Sequence, residues 1–300
     1  MLEIFSHQYL KRFIKSHKLD WDHVYSFGRI ISKCIKTNQT FLINSEIFST
    51  NIWVPALLIS LFLYQEDATF ILSNEKIQFL KNNYLEDLES LGFDFILEND
   101  QIIFTNHRVS LISLKNLLGN LNSFNIKNSL IIFSGIENIK DDLKNNFRIS
   151  LVSKDWLHKV DKSLPINQKI TSTYNAFKKK FFMRRVLDNS YLFLEQTEVN
   201  FFSKFFYENA SFSKQFSRVN HALSEGWACW VKLDKINFEW NFYLEPIDEL
   251  SQIKQLLINN KFVFLSALRK DNFFQKYLRR QSIEIDKVVN FKSNFNEKKI

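Results

Sequence analysis

The chain has 300 residues, 45% of them hydrophobic, enough to bury a sizeable core in one large domain or in a main domain with a substantial insertion. Its formal net charge of +8 fits a polyanionic partner and fits plain solubility equally well, so charge alone names no function. Two distant cysteines, Cys34 and Cys229, exclude a four-thiolate cluster or zinc ribbon built from this chain and read as small core residues, and the six histidines show no metal-ligand spacing, so no metal is expected.

Residues 1–38 read as a helical preface, with Leu10, Phe13 and Ile14, then Val24, Ile30, Ile31, Cys34 and Ile35, recurring at helix spacing. The first 18 residues mix charges and lack an apolar run or a small-residue cleavage site, so export is not expected and the protein is placed in the cytoplasm. A β-type run at 40–44, a loop and an apolar helix at 53–64 follow. That helix is the nearest approach to the ~18 apolar residues needed to cross a bilayer, and Pro55 and Ser60 interrupt it, so no membrane partner is expected. The alternation continues with a strand at 69–73, helix at 75–91, strand at 101–105, helix at 109–118, strand at 129–133 and helix at 136–146. Short apolar strands alternating with helices predict a parallel sheet covered on both faces. Between 153 and 221 the alternation gives way to helical, aromatic and basic segments, including 174–187 and 199–207. A hairpin is expected from 227–233 and 238–244 around 234–237, with Trp227, Trp230 and Trp240 in its core. Strand 262–266, helix 272–281 and strand 287–290 resume the sheet, and residues 292–300 read as a polar tail.

In α/β nucleotide-binding proteins the loop after the first strand carries glycines that let backbone N–H groups wrap phosphate, then Lys and Ser/Thr for charge and Mg²⁺. Here that loop is Asn44-Ser45-Glu46-Ile47-Phe48-Ser49-Thr50, with no Gly and no Lys. Glu46 would repel phosphate, and bulky Ile47 and Phe48 would hold an anion away from the backbone. No metal cluster or catalytic triad is legible elsewhere in the chain.

The surroundings of this loop nevertheless resemble the DinG/XPD-like branch of superfamily 2 DNA helicases. There the pattern E-A-P-T-G-T-G-K-T is followed by five residues and P-A-L. Aligned without gaps on Pro55-Ala56-Leu57, its Lys falls on Phe48, its last Thr on Ser49 and its glycines on Ser45 and Ile47. Four further landmarks follow in family order. Residues 70–80 resemble the second strand and helix, and residues 102–111 resemble the "V-V-T-N-H-x-L-L" segment. Residues 131–139 sit where the DEAH strand belongs, with Ser134, Gly135, Ile136 and Glu137 in place of Asp-Glu-Ala-His. Residues 244–248, 262–268 and 272–274 resemble the run around the third helicase motif, with Ser266, Ala267 and Leu268 at S-A-T.

The resemblance implies a RecA-like first motor domain from residues 38–150 and 240–292, with N-terminal helices at 1–37, a mostly helical, arch-like insertion at 151–239 ending in the hairpin, and a tail at 293–300. It also implies ATP and Mg²⁺ as cofactors, which the motifs here do not support. DEAH chemistry needs Asp to hold the metal through water and Glu to orient the attacking water, whereas Ser134 and Gly135 supply no carboxylate and Glu137 is out of register. Leu268 replaces the third motif's Thr, the iron–sulfur cysteines of many relatives are absent, and the second motor half is expected to begin near residue 300.

The leading reading is a DinG-like protein with a degenerate ATP site that binds DNA, single-stranded rather than duplex, or a partner, in repair or replication. Candidate nucleic-acid contacts are Lys178, Lys179, Lys180, Arg184 and Arg185, among Tyr174, Phe177, Phe181 and Phe182, together with Arg279 and Arg280 beside Arg269, Lys270 and Lys276. The competing reading makes Phe177, Phe181 and Phe182 core and the cations solvated. Two alternatives remain: an active helicase completed by a second subunit, and a non-catalytic interaction protein or truncated gene product.

Overall fold

A computed structural model of the chain describes residues 1–19, 22–37, 39–119, 129–157, 165–184, 191–268 and 272–291. The chain divides into two compact units, Met1–Asp142 with Leu250–Ile300, and Leu143–Glu249. The first opens with α1 (Leu2–Ser16) and α2 (Asp22–Lys36), followed by β1 (Phe41–Asn44), α3 (Val54–Phe62), β2 (Ala68–Leu72), α4 (Asn74–Asn83), α5 (Leu85–Ser90), β3 (Ile96–Glu98), β4 (Gln101–Ile103), β5 (Arg108–Ser113), α6 (Leu114–Gly119) and β6 (Leu130–Ser134). Helix α7 (Ile139–Phe147) runs into the second unit, which supplies β7 (Ile149–Leu151), α8 (Ser153–Leu157), α9 (Pro165–Met183), β8 (Tyr191–Phe193), α10 (Gln196–Glu208), α11 (Lys214–Ser224), β9 (Ala228–Asp234) and β10 (Glu239–Glu245). The chain then completes the first unit with α12 (Lys254–Asn259), β11 (Lys261–Ser266), α13 (Asn272–Arg279) and β12 (Lys287–Asn290).

The first unit is built on an eight-stranded sheet in the order β12-β1-β11-β6-β2-β5-β4-β3. The pairings from β12 through β5 are parallel. Every residue of β1 and β2 is buried, as in strands covered on both faces. Helix α3 is buried along its whole length, and Pro55 in its first turn is compatible with helix because no intrahelical donor is needed there. Helices α1 and α2 share the core of α3. A Cβ on Gly28 would lie 2.9 Å from the Leu10 side chain, and Ser60 is 2.9 Å from both Ser6 and Ser32, so the polar groups at this three-helix contact are satisfied.

Residues 101–118 depart from the sequence-based expectation. Residues 101–105 and 109–118 were expected as a sheet strand and a helix, but β4 forms an antiparallel edge hairpin with β3, and residues 108–113 form β5, parallel to β2, before the short α6. Asn99 and Asp100 both have positive φ, the conformation of a tight hairpin turn. Val109 and Leu111 then fill buried positions in β5, where strand pairing overrides helix-like spacing.

The second unit has a four-stranded antiparallel sheet, β7-β10-β9-β8. Strands β9 and β10 are the expected hairpin, and β7 and β8, three residues each, were not anticipated. One sheet face packs Leu151, Val231, Leu233, Trp240 and Phe242 against a helical core containing Trp156, Tyr174, Phe181, Phe202 and Phe216. The alternation of the strands turns Trp230 to the opposite face, where it is half-exposed, so only Trp240 of the three hairpin tryptophans is fully buried. The expected tail lies outside the described residues. Among the described residues, no helix is long and apolar enough to cross a membrane.

Candidate functional site

The motif-like segments converge at the carboxyl ends of β1, β11 and β6, where open α/β sheets usually bind ligands. Directly after β1 the chain forms one turn of 3-10 helix, Glu46–Ser49. Ser45 Oγ caps it by accepting from the Ile47 N–H at 3.3 Å, while the Phe48 N–H donates to Ser45 O and the Thr50 N–H to Ile47 O. The Ser45 N–H donates to Ser266 O of β11 at 2.9 Å. Four backbone donors of this turn are therefore satisfied inside the protein. Ile47 and Phe48 point into the core. Phe48 meets Trp53 and Phe27 edge to face, with centroids 5.1 and 5.5 Å apart.

The DEAH-like segment packs alongside. Gly135 takes a left-handed conformation, φ +80°, that suits a residue without a side chain, and its N–H donates to Leu265 O. Ile136 is buried. Glu137 is aimed across the strand ends and accepts from the Ala267 N–H at 3.2 Å. Ser266 is buried, and its Oγ accepts from the Leu268 N–H at 3.3 Å. The Ser134 hydroxyl and the Asn44 amide oxygen are buried without a partner, although the Asn44 amide nitrogen donates to Asn290 of β12. The structure thus brings Ser45, Glu46, Ile47, Phe48 and Ser49 together with Ser134, Gly135, Ile136, Glu137, Ser266, Ala267 and Leu268.

Sequence reasoning missed Lys76. It lies in the first turn of α4, with Nζ 6.0 Å from the Trp53 ring centre. Burial pushes its amine below the ordinary value, while the charge of Glu137 opposes that shift. The legible signal was its position, since a cation in the first turn of a helix runs against the helix dipole. Among the described residues, no group of three or more His, Cys, Asp or Glu side chains is arranged to hold a metal ion.

No protein-family model matches the sequence, and no curated protein sequence matches it. Solved structures do. The structure of S. tokodaii Xpd4 aligns with a TM-score of 0.51 at 13% identity, over 86% of this chain and 58% of that one. The fold is that of part of the Xpd4 structure. A structure described as apo XPD aligns over 92% of this chain and 59% of its own, at 10% identity and a TM-score of 0.48. The chain therefore spans less than two thirds of the XPD structures it matches.

Two further groups of candidate residues lie on this XPD-like fold. On α9, Lys178 pairs with Glu239 at 3.5 Å and Lys180 with Glu198 at 2.9 Å, while Arg184, just past its end, bonds both Glu195 and Glu198. The Glu198 carboxylate is almost fully buried and also accepts from the Glu195 N–H, closing a capping box at the start of α10. Tyr174 and Phe181 are buried, and Phe177 and Phe182 pack partly against the same core. Lys179 is exposed, and Arg185 lies outside the described residues. In the first unit, Lys276, Arg279 and Arg280 are exposed at the end of α13, and Phe273 is 61% exposed beside the Tyr277 ring. Spacings of three and four residues put Phe273, Lys276 and Arg280 on one face. Arg269 and Lys270 lie outside the described residues.

Proposed function

We propose that this chain is a helicase-related protein of the DinG/XPD type that takes part in DNA metabolism by binding single-stranded DNA, without nucleotide hydrolysis of its own. The observation that carries this reading is the turn after β1. A phosphate loop needs free N–H groups and an open approach to the backbone. Here the donors of Ser45, Ile47, Phe48 and Thr50 are taken, and Phe48 lies in the core where the resemblance puts lysine. Ser134 and Gly135 offer no carboxylate for a metal or for the attacking water, and Glu137 is engaged by the Ala267 backbone. The residues present do not fit Mg·ATP.

The DNA-binding part of the reading is supported by α13. Lys276, Arg279 and Arg280 supply charge for phosphates, and Phe273 supplies an exposed ring. The group on α9 supports it less, because Lys178, Lys180 and Arg184 already neutralise carboxylates. Fluorescence anisotropy with labelled oligo-dT tests the proposal. Binding should weaken as salt rises, and the double change Arg279→Glu and Arg280→Glu should reduce the salt slope by about 1.4, the value for two lost phosphate contacts to a single strand. Absence of binding by the wild-type chain at low salt contradicts the reading. DNA-stimulated ATP hydrolysis by the pure chain would favour an active motor instead.

A further inference from the structure

The four-stranded sheet of the second unit has one face on the helical core and another lined with rings and cations. Directly paired residues of neighbouring strands share a face, so the registers define two central rows on the outer side, flanked by Asp234 with Glu239 and by Ala228 with Glu245. Phe193, Trp230, Tyr243 and Ser150 form one row across β8, β9, β10 and β7, and Tyr191, Lys232 and Asn241 form the other. The rows between them, such as Leu192, Val231, Phe242 and Leu151, point to the core. Phe193 is 84% exposed and Tyr191 51%, while Trp230 and Tyr243 are half-exposed and stack nearly parallel, at 11° with centroids 5.8 Å apart.

Cations accompany these rings. Lys232 Nζ lies 5.4 Å from the Tyr191 ring centre, and the Arg148 guanidinium lies 6.0 Å from the Trp230 ring centre. The nearby Glu245 carboxylate is buried and held by both Arg148 and Lys144, and Asp234 and Glu239 end the same face beyond Lys232, so cations and carboxylates both border the rings. Large apolar side chains are costly to leave in water unless something covers them. Here they are aromatic and spread over three strands, and two of them have a cation set against the ring, features complementary to unstacked bases joined by phosphates.

We propose that the outer face of this sheet is a stacking platform for single-stranded nucleic acid, with Phe193, Tyr191 and Trp230 receiving bases and Lys232 and Arg148 attracting the backbone. It rests on the reading that the chain binds single-stranded DNA and places a contact on a surface other than α13. The chemistry is sequence-tolerant, because every base has a π face.

The test is anisotropy titration of the full chain with labelled oligo-dT and with a duplex of equal length at low salt. The variant Phe193→Ser with Tyr191→Ser changes two exposed side chains, and circular dichroism checks that its fold is retained. It should weaken oligo-dT binding by about fivefold or more, the loss of at least one stacked base, whereas Phe193→Tyr with Tyr191→Phe should bind as the wild type does. The duplex, whose bases are already stacked, should bind more weakly than oligo-dT. Oligo-dT binding that is unchanged by the serine variant but weakened by Arg279→Glu with Arg280→Glu overturns the platform and leaves the DNA-binding reading standing. Equal binding of duplex and single strand also overturns the platform. No binding by the wild type overturns both readings and leaves the aromatic face to a protein partner.

Discussion

Phe48, which the sequence resemblance would set at the loop lysine of DinG/XPD-like helicases, packs between Phe27 and Trp53 in the main core. A lysine placed there would carry an unpaired charge into an apolar site, so the single reverse change cannot rebuild a phosphate loop. Phe48→Ala should instead lower stability by about 3–5 kcal/mol, the usual cost of removing a buried ring, and urea unfolding followed by circular dichroism measures it. A loss below about 1 kcal/mol would mean that the ring is not packed as described. The absence of Gly and Lys from this loop was legible in the sequence. The use of its backbone donors was not, because the Ser45 N–H bonds Ser266, more than two hundred residues away. Nor could the sequence reveal that Glu137, out of register with DEAH, reaches the Ala267 backbone. Lys76 was missed because its neighbours Trp53 and Glu137 come from separate segments.

Helices α9 and α10 are joined by a carboxylate that the sequence did not single out. Burial alone would push the Glu198 carboxyl up, but the Glu195 N–H, Lys180 and Arg184 outweigh it and hold the group below its ordinary value of 4.5. A carboxyl depressed in the folded state contributes stability that is present above its unfolded value and lost as pH falls through the folded one. The protein should therefore lose stability progressively below about pH 4.5, and Glu198→Gln should remove this part of the acid dependence. At neutral pH the substitution should cost about 1–3 kcal/mol, because the buried carboxylate's charge-assisted hydrogen bonds to Lys180 and Arg184 are weakened, while both cations keep access to solvent. Urea midpoints measured across pH check both statements, and an acid dependence identical in the variant would contradict them. At this scale the sequence was informative where apolar runs were long. Strands at 69–73, 262–266 and 287–290 match β2, β11 and β12 within one residue. It failed at β5, where pairing with β2 overrode a helix-like spacing, and at β7 and β8, which exist through their partners in the sheet. The hairpin's alternation was visible, but which of its faces is covered depends on α8 to α11, and so the exposure of Trp230 was not.

At the scale of the whole molecule, two units with separate cores carry different parts of the account. The first unit has the parallel sheet and the motif-like turns, and the second carries an antiparallel sheet with an aromatic outer face. The XPD fold was legible from landmarks in order along the chain, although only 13% of residues are identical to those of S. tokodaii Xpd4. The residues at the strand ends are compatible with packing. Ile47 and Phe48 add to the core, and Ser134 and Gly135 leave the β6 pairing intact. The central claim, that the turn after β1 is closed to nucleotide, is tested most directly by isothermal titration of the full chain with Mg·ATP. The account predicts no saturable binding up to about 1 mM, the upper end of ordinary enzyme substrate constants. Saturable one-to-one binding within that range, abolished by Ser45→Glu in the turn, would contradict it.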